Sequence, residues 1–249
     1  MLRGAEPFHH AGGDTAILFC HGFTGSPQSL RGWAQAAADA GHTVALPRLP
    51  GHGTRWQDAN LTTFADWYGC VEREFAMLRE RCSRVFVMGL SMGGTLTLRL
   101  AELHGPEVAG IVLVNPAVIS LDPRMKVLPV LHRVLPSLGG IASDIKKPGV
   151  TELAYDRVPL KALESLRRAW SSVRSDLPRV TQPTLLIRSN VDHVVEPESS
   201  RLILSRISST DVTEVVLHDS YHVATLDNDA ERIVTQSLAF VDAHVAASP

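Results

Sequence analysis

Short apolar runs alternate with segments of helical period along most of the chain. Residues 16–20, 43–46, 84–88, 110–114, 184–188 and 213–217 are rich in aliphatic, β-branched and aromatic side chains. Such runs are the signature of strands buried on both faces. Between them, Leu30, Trp33, Ala34, Ala37 and Ala38 share one face of a helix over 27–40 that Gly41 stops. Thr63 and Asp66 have capping-box spacing ahead of the stripe Phe64, Trp67, Val71, Phe75 and Leu78. Further helices are predicted over 95–104, 198–207 and 230–245. This alternation implies a doubly wound, mostly parallel α/β sheet, whose ligands bind at the carboxyl ends of the strands.

The alternation breaks between residues 119 and 176, where prolines and glycines separate short amphipathic pieces. This stretch reads as a cap inserted into a core formed by 1–118 and 177–249. Leu128, Leu131, Leu135 and Leu138 form an apolar stripe within it, with Arg124, Lys126 and Arg133 interspersed. Packing on the core explains the stripe most simply; a wall for an acyl chain or a face toward lipid is the alternative.

Composition narrows the picture by exclusion. The 249 residues suffice for one large α/β domain. The apolar content of 45% and charged content of 20% are ordinary for a folded chain. A net charge of -2 without a basic run argues against nucleic acid as a partner. Cys20, Cys70 and Cys82 lie apart in or beside apolar runs, which suggests buried thiols rather than a disulfide framework or zinc site. The first residues form no secretory signal, and no apolar stretch is long enough to span a membrane, so a soluble cytoplasmic protein is expected.

The candidate chemistry starts at Gly89-Leu90-Ser91-Met92-Gly93, between a predicted strand and a predicted helix. A turn this tight strains its central residue, and glycines on either side let the two backbone limbs approach. The serine hydroxyl is thereby exposed, and the following helix aims N–H groups at a developing oxyanion. In the fold such an elbow implies, a second N–H comes from an early strand-to-helix loop. His21-Gly22-Phe23-Thr24-Gly25 is that loop, so the oxyanion hole is assigned to Phe23 and Met92.

A serine hydroxyl needs an adjacent base, and the base needs a third group to hold its tautomer. The order expected is serine, acid, histidine. Asp192, after the strand at 184–188, and His222, after the last strand, satisfy it. His193 and His218 are rival bases, and Glu196 and Asp219 reserve acids. His193 is set aside because neighbours after a strand point apart.

The His21–Gly25 loop, the elbow, Asp192-His193-Val194-Val195 and Ser220-Tyr221-His222-Val223-Ala224-Thr225 together resemble the bacterial monoacylglycerol lipases and related small carboxylesterases of the α/β-hydrolase superfamily. The likeness extends into the cap at Ser143-Asp144-Ile145-Lys146 and Glu152-Leu153-Ala154-Tyr155 and is weakest over 118–142. It implies a serine hydrolase that cleaves the ester of a monoacylglycerol to glycerol and a fatty acid through an acyl-enzyme, without metal or cofactor, with Glu152 recognising the glycerol hydroxyls. A carboxylate accepts hydrogen bonds and glycerol offers donors, which suits that role. A short-chain carboxylesterase, a cofactor-free perhydrolase and a non-enzymatic ligand receptor are the alternatives. Transient membrane contact through the cap is a further expectation, and oligomeric state stays open.

Overall fold

A computed structural model describes residues 1–140 and 143–246; residues 141 and 142 of the expected cap lie outside the described residues. In chain order the elements are β1 (Phe8–His10), β2 (Thr15–Cys20), α1 (Arg31–Asp39), β3 (Thr43–Leu46), α2 (Trp56–Ala59), α3 (Phe64–Arg79), β4 (Arg84–Leu90), α4 (Met92–His104) and β5 (Gly110–Val114). They continue with α5 (Arg124–Val134), β6 (Ser137–Gly139), β7 (Arg157–Pro159), α6 (Leu160–Asp176), β8 (Thr184–Ser189), α7 (Glu198–Arg206), β9 (Val212–Leu217) and α8 (Ala230–Ala246).

Seven strands form one sheet in the order β1-β3-β2-β4-β5-β8-β9. Only β1 runs antiparallel, pairing Phe8 with Leu46. From β3 to β9 every pair is parallel, as apolar runs without polar alternation require. Period-two alternation divides each central strand between two cores. Val85 and Val87 of β4 join one core with Trp67 and Phe75 of α3, Leu96 and Leu100 of α4, and Leu166 and Trp170 of α6. Phe86 and Met88 face the other, with Trp33 of α1 and Ile233 and Phe240 of α8. The sheet is thus covered on both sides, and its carboxyl edge is where β2, β4, β8 and β9 release their loops.

Three details depart from expectation. A turn of 3-10 helix, Pro27–Leu30, precedes α1, so the predicted helix over 27–40 is two pieces. The segment after β5 contains α6, a 17-residue helix that its proline-rich surroundings obscured, together with the hairpin β6–β7. Cys20 and Cys82 are buried, whereas Cys70 is only partly so, because it lies at the edge of the buried α3 stripe.

Candidate active site

Ser91 joins β4 to α4 with φ 56° and ψ −118°, a conformation that L-residues with a Cβ rarely adopt. The elbow is held around it. The Ser91 N–H donates to the Val114 carbonyl at 3.0 Å, and the Ser91 carbonyl accepts from Gly94 at 2.9 Å and Ala117 at 3.2 Å. Glycine is obligatory on both sides for steric reasons. A Cβ at Gly89 would lie 2.2 Å from the Gly93 carbonyl oxygen, and one at Gly93 would lie 1.8 Å from that of Cys20. The second contact ties the elbow to the end of β2, which leads into the His21–Gly25 loop.

Asp192 lies in the loop after β8 and His222 in the loop after β9; His222 Nδ1 and Asp192 Oδ2 are 2.8 Å apart. Asp192 Oδ1 accepts the Val194 and Val195 N–H groups, each at 2.8 Å, which fixes the carboxylate's orientation. Burial alone would raise the Asp192 pKa, but the His222 charge and hydrogen bond together with those amides hold it below the usual carboxylate value. Burial pulls His222 down, and the Asp192 charge and hydrogen bond, with Glu152 and Asp144, more than reverse this, so its pKa is raised. Ser91 and His222 line one cavity. Among the described residues no hydrogen bond joins them. Such bonds are often long before substrate binds and tighten in the substrate complex.

Phe23 and Met92 also line this cavity, and their N–H groups donate to no acceptor among the described residues. The loop carrying Phe23 is shaped by two buried histidines. His21 Nε2 accepts the Leu49 N–H at 3.2 Å, so its Nδ1 carries the proton and donates to the Gly22 carbonyl at 2.9 Å. Burial holds His21 at about 3 and His52 at about 4, which keeps both neutral. Phe23, His52 and Trp67 meet edge to face or tilted at ring distances of 5.2–6.1 Å, bracing the loop from behind.

The cavity encloses about 500 Å³. Leu128 and Leu131 of α5, Leu138 of β6, and Leu163 and Leu166 of α6 are among its lining. The leucine stripe therefore faces the cavity at three of its four positions, whereas Leu135 ends α5 and is exposed. Glu152 also lines it, from a strap of residues 143–155 that contributes Ser143 and Asp144 as well. The strap is fastened to the Phe23 loop: Leu153 N–H donates to Gln28 Oε1 at 2.9 Å, and Tyr155 N–H donates to the Thr24 carbonyl at 3.1 Å. No hydrogen-bond donor meets the Glu152 carboxylate among the described residues. Burial pushes its pKa up to about 7, against the pull of the His222 charge.

The rival residues are placed otherwise. His218 is exposed at the end of β9, and Asp219 pairs with Lys146 at 2.6 Å. Glu196 Oε1 accepts the Leu121 N–H at 2.9 Å. His193 does not point away from the site as strand alternation suggested. It lines the same cavity, because the chain turns after Asp192, and its Nδ1 lies 2.8 Å from Asp144 Oδ1. Asp144 and Asn115 were not recognised as site residues from sequence. Asn115, at φ 43° after β5, donates to the His222 carbonyl at 2.8 Å. A non-glycine, β-breaking residue at the end of a buried strand was the available signal for it.

The family described as serine aminopeptidase, S33, matches residues 13–229. The thermostable monoacylglycerol lipase of Bacillus sp. strain H-257 is 47% identical over 98% of this chain and 97% of that protein. A carboxylesterase of Bacillus subtilis strain 168 is 26% identical over 95% of the chain and 96% of its own. Among solved structures, a lipolytic enzyme of the metagenome-derived pair LipS and LipT superposes with a TM-score of 0.95 at 44% identity, covering 98% of this chain and 99% of that one. The elbow, the acid and base loops and the overall likeness agree: the chain belongs to the bacterial monoacylglycerol lipase and small carboxylesterase family of the α/β-hydrolase superfamily.

Proposed function

We propose that this protein is a serine hydrolase that cleaves monoacylglycerol to glycerol and a fatty acid through an acyl-enzyme. The observation that carries this reading is the cavity itself, whose lining joins to Ser91 two environments, a set of leucines and the half-buried, unpartnered carboxylate of Glu152. An acyl chain fits the first environment and a glycerol head the second. The similarity to a monoacylglycerol lipase over nearly the whole chain supports the same substrate.

His222 takes the proton of Ser91 as Oγ adds to the ester carbonyl, and the imidazolium is stabilised by Asp192. The Phe23 and Met92 N–H groups receive the oxyanion. Collapse breaks the ester bond, His222 returns the proton to the departing glycerol oxygen, and the acyl group remains on Ser91. Water, deprotonated by His222, then releases the fatty acid and restores the serine. This scheme uses no metal or organic cofactor. Residues 119–176 act as the cap insertion, over a core of 1–118 and 177–249 into which Leu166, Trp170 and Val173 of α6 are packed.

Val127, Val130 and Val134 of α5 are 56%, 68% and 72% exposed along one helical face. This stripe suits transient contact with a lipid surface that supplies substrate. Among the described residues no helix is long and apolar enough to cross a membrane. Three unbridged cysteines suit a reducing compartment such as the cytoplasm.

A hydrolysis panel separates this reading from a short-chain carboxylesterase. Medium- and long-chain monoacylglycerols should exceed p-nitrophenyl acetate in kcat/KM; the reverse order would favour the esterase. Liposome cosedimentation tests the surface contact, which fails if wild type and Val130→Glu remain equally in the supernatant.

A further inference from the structure

His222 is held at more places than its triad hydrogen bond. Its carbonyl accepts from Asn115 Nδ2 at 2.8 Å, a restraint from the sheet. Its N–H donates to Asp144 Oδ2 at 3.1 Å, a restraint from the strap. The same Oδ2 accepts the N–H of His193, also at 3.1 Å, and Asp144 Oδ1 lies 2.8 Å from the His193 ring nitrogen Nδ1. The next amide along, Val223 N–H, donates to the Asp144 carbonyl at 3.0 Å. One residue outside the core strands thus clasps both the loop of the base and the loop of the acid, His193 being the neighbour of Asp192.

The chain is shaped to put Asp144 there. Ser143 has φ 58°, in the left-handed region that a side chain disfavours, and the Ile145 N–H closes on the Ser143 carbonyl at 2.8 Å, making a tight turn with Asp144 at its tip. The Ser143 hydroxyl accepts the Glu152 N–H at 2.8 Å, so the turn also fixes the start of the Glu152 segment. Beyond it, Asp227 accepts the Lys146 and Lys147 N–H groups at 2.7 and 2.8 Å and the Tyr221 N–H at 2.9 Å. This is a second clasp between strap and base loop.

We propose that Asp144 is a positioning residue for the hydrolytic reaction: from the strap it sets the separation of the His222 and Asp192 loops and thereby aims the imidazole at Ser91. It rests on the reading of His222 as the base and Asp192 as its partner. The strap then has two tasks, holding the head-group carboxylate Glu152 and holding the base, and a strap lifted from the site would lose both. An angstrom of misplacement at a reacting group costs about a hundredfold in rate, so loss of this clasp should appear in turnover. The charged groups facing His222 are Asp192 from the acid loop and Glu152 and Asp144 from the strap, and all three favour the imidazolium. Removing the Asp144 charge therefore lowers the His222 pKa.

The test is Asp144→Asn, with p-nitrophenyl acetate, which has no glycerol head, as substrate. Expected are a kcat lowered by about 10- to 100-fold, a KM within about twofold of wild type, and an acid limb of kcat/KM displaced to lower pH. Asp144→Ser, with one neutral acceptor oxygen, supplies the same readings if Asp144→Asn does not fold. An unchanged kcat and acid limb in a folded Asp144 variant would overturn the proposal, as would a loss confined to KM. His222→Ala is the reference: full activity in that variant would instead overturn the assignment of the base.

Discussion

A Cβ atom added to Gly25 would stand 2.6 Å from Glu152 Oε1. The loop that carries Phe23 and the strap that carries Glu152 therefore meet with room for a hydrogen atom and no more. Gly25→Ala must displace the carboxylate or lift the strap. The displaced atom is the far end of a flexible side chain, so the fold tolerates the change while the carboxylate leaves its place; a hydrogen bond to a charged group is worth about 1.5–3 kcal/mol, so kcat/KM for a monoacylglycerol should fall roughly tenfold or more while p-nitrophenyl acetate is less affected. Steady-state kinetics on both substrates checks the split.

Glu152 should also impose a pH dependence of its own. Its pKa of about 7 means that the carboxylate ionises across the neutral range, and the ionised form accepts hydrogen bonds from glycerol more strongly. The ratio of kcat/KM for monoacylglycerol to that for p-nitrophenyl acetate should rise with pH through about 7 and then level. In Glu152→Gln the ratio should be flat. Taking the ratio cancels the titration of His222, which both substrates share.

His222 must be neutral to accept a proton, and its pKa lies above the ordinary 6.5. The acid limb of kcat/KM should therefore have its midpoint above that value. Asp192→Asn removes the anion that stabilises the imidazolium and should lower kcat by about four orders of magnitude, as loss of the triad acid does elsewhere. A pH–rate series with both proteins measures the two effects.

The leucine wall sets acyl length in this account. Leu131→Trp places an indole in the cavity beside Leu128 and Leu138. Loss of room for each methylene is worth about 1–3 kcal/mol, so kcat/KM for long acyl chains should fall at least tenfold relative to short ones. A monoacylglycerol series of increasing chain length reads this directly.

A stability prediction comes from α4. Glu102 is buried, and burial pushes its pKa up to about 8 against the opposing pull of Arg99, with which it is paired at 3.0 Å. Because the folded pKa lies above the unfolded 4.5, the native state binds more protons between those values, and the contribution of this group falls as pH rises from 4.5 to about 8. Glu102→Gln should therefore lose less stability than wild type over that interval. Thermal melts at pH 5 and pH 8 compare the two proteins.

The parallel strands, the elbow and the order of Ser91, Asp192 and His222 could be read from the chain because each depends on local pattern: apolar runs, flanking glycines and the position of a residue just past a strand. The edge strand β1 could not, since Phe8-His9-His10 has no apolar run and gains its place only by pairing with β3. Helix α6 leaves a local trace, Leu163, Leu166, Trp170 and Val173 at helical spacing after Pro159, but the turn signals of the prolines and glycines before it mask that period. Asp144 had no local signal as a positioning group. Its partners His193 and His222 are 49 and 78 residues away, and only the folded strap brings them together. The fate of the leucine stripe was likewise a tertiary matter, decided by where α5 and β6 stand relative to the sheet edge.

Whether Ser91 carries the acyl group is decided by intact-mass spectrometry and peptide mapping after a brief reaction with a fluorophosphonate. One equivalent of adduct is expected on the peptide containing Ser91 and none in Ser91→Ala. Adduct of equal yield in Ser91→Ala, or on another residue of the wild-type chain, would contradict it.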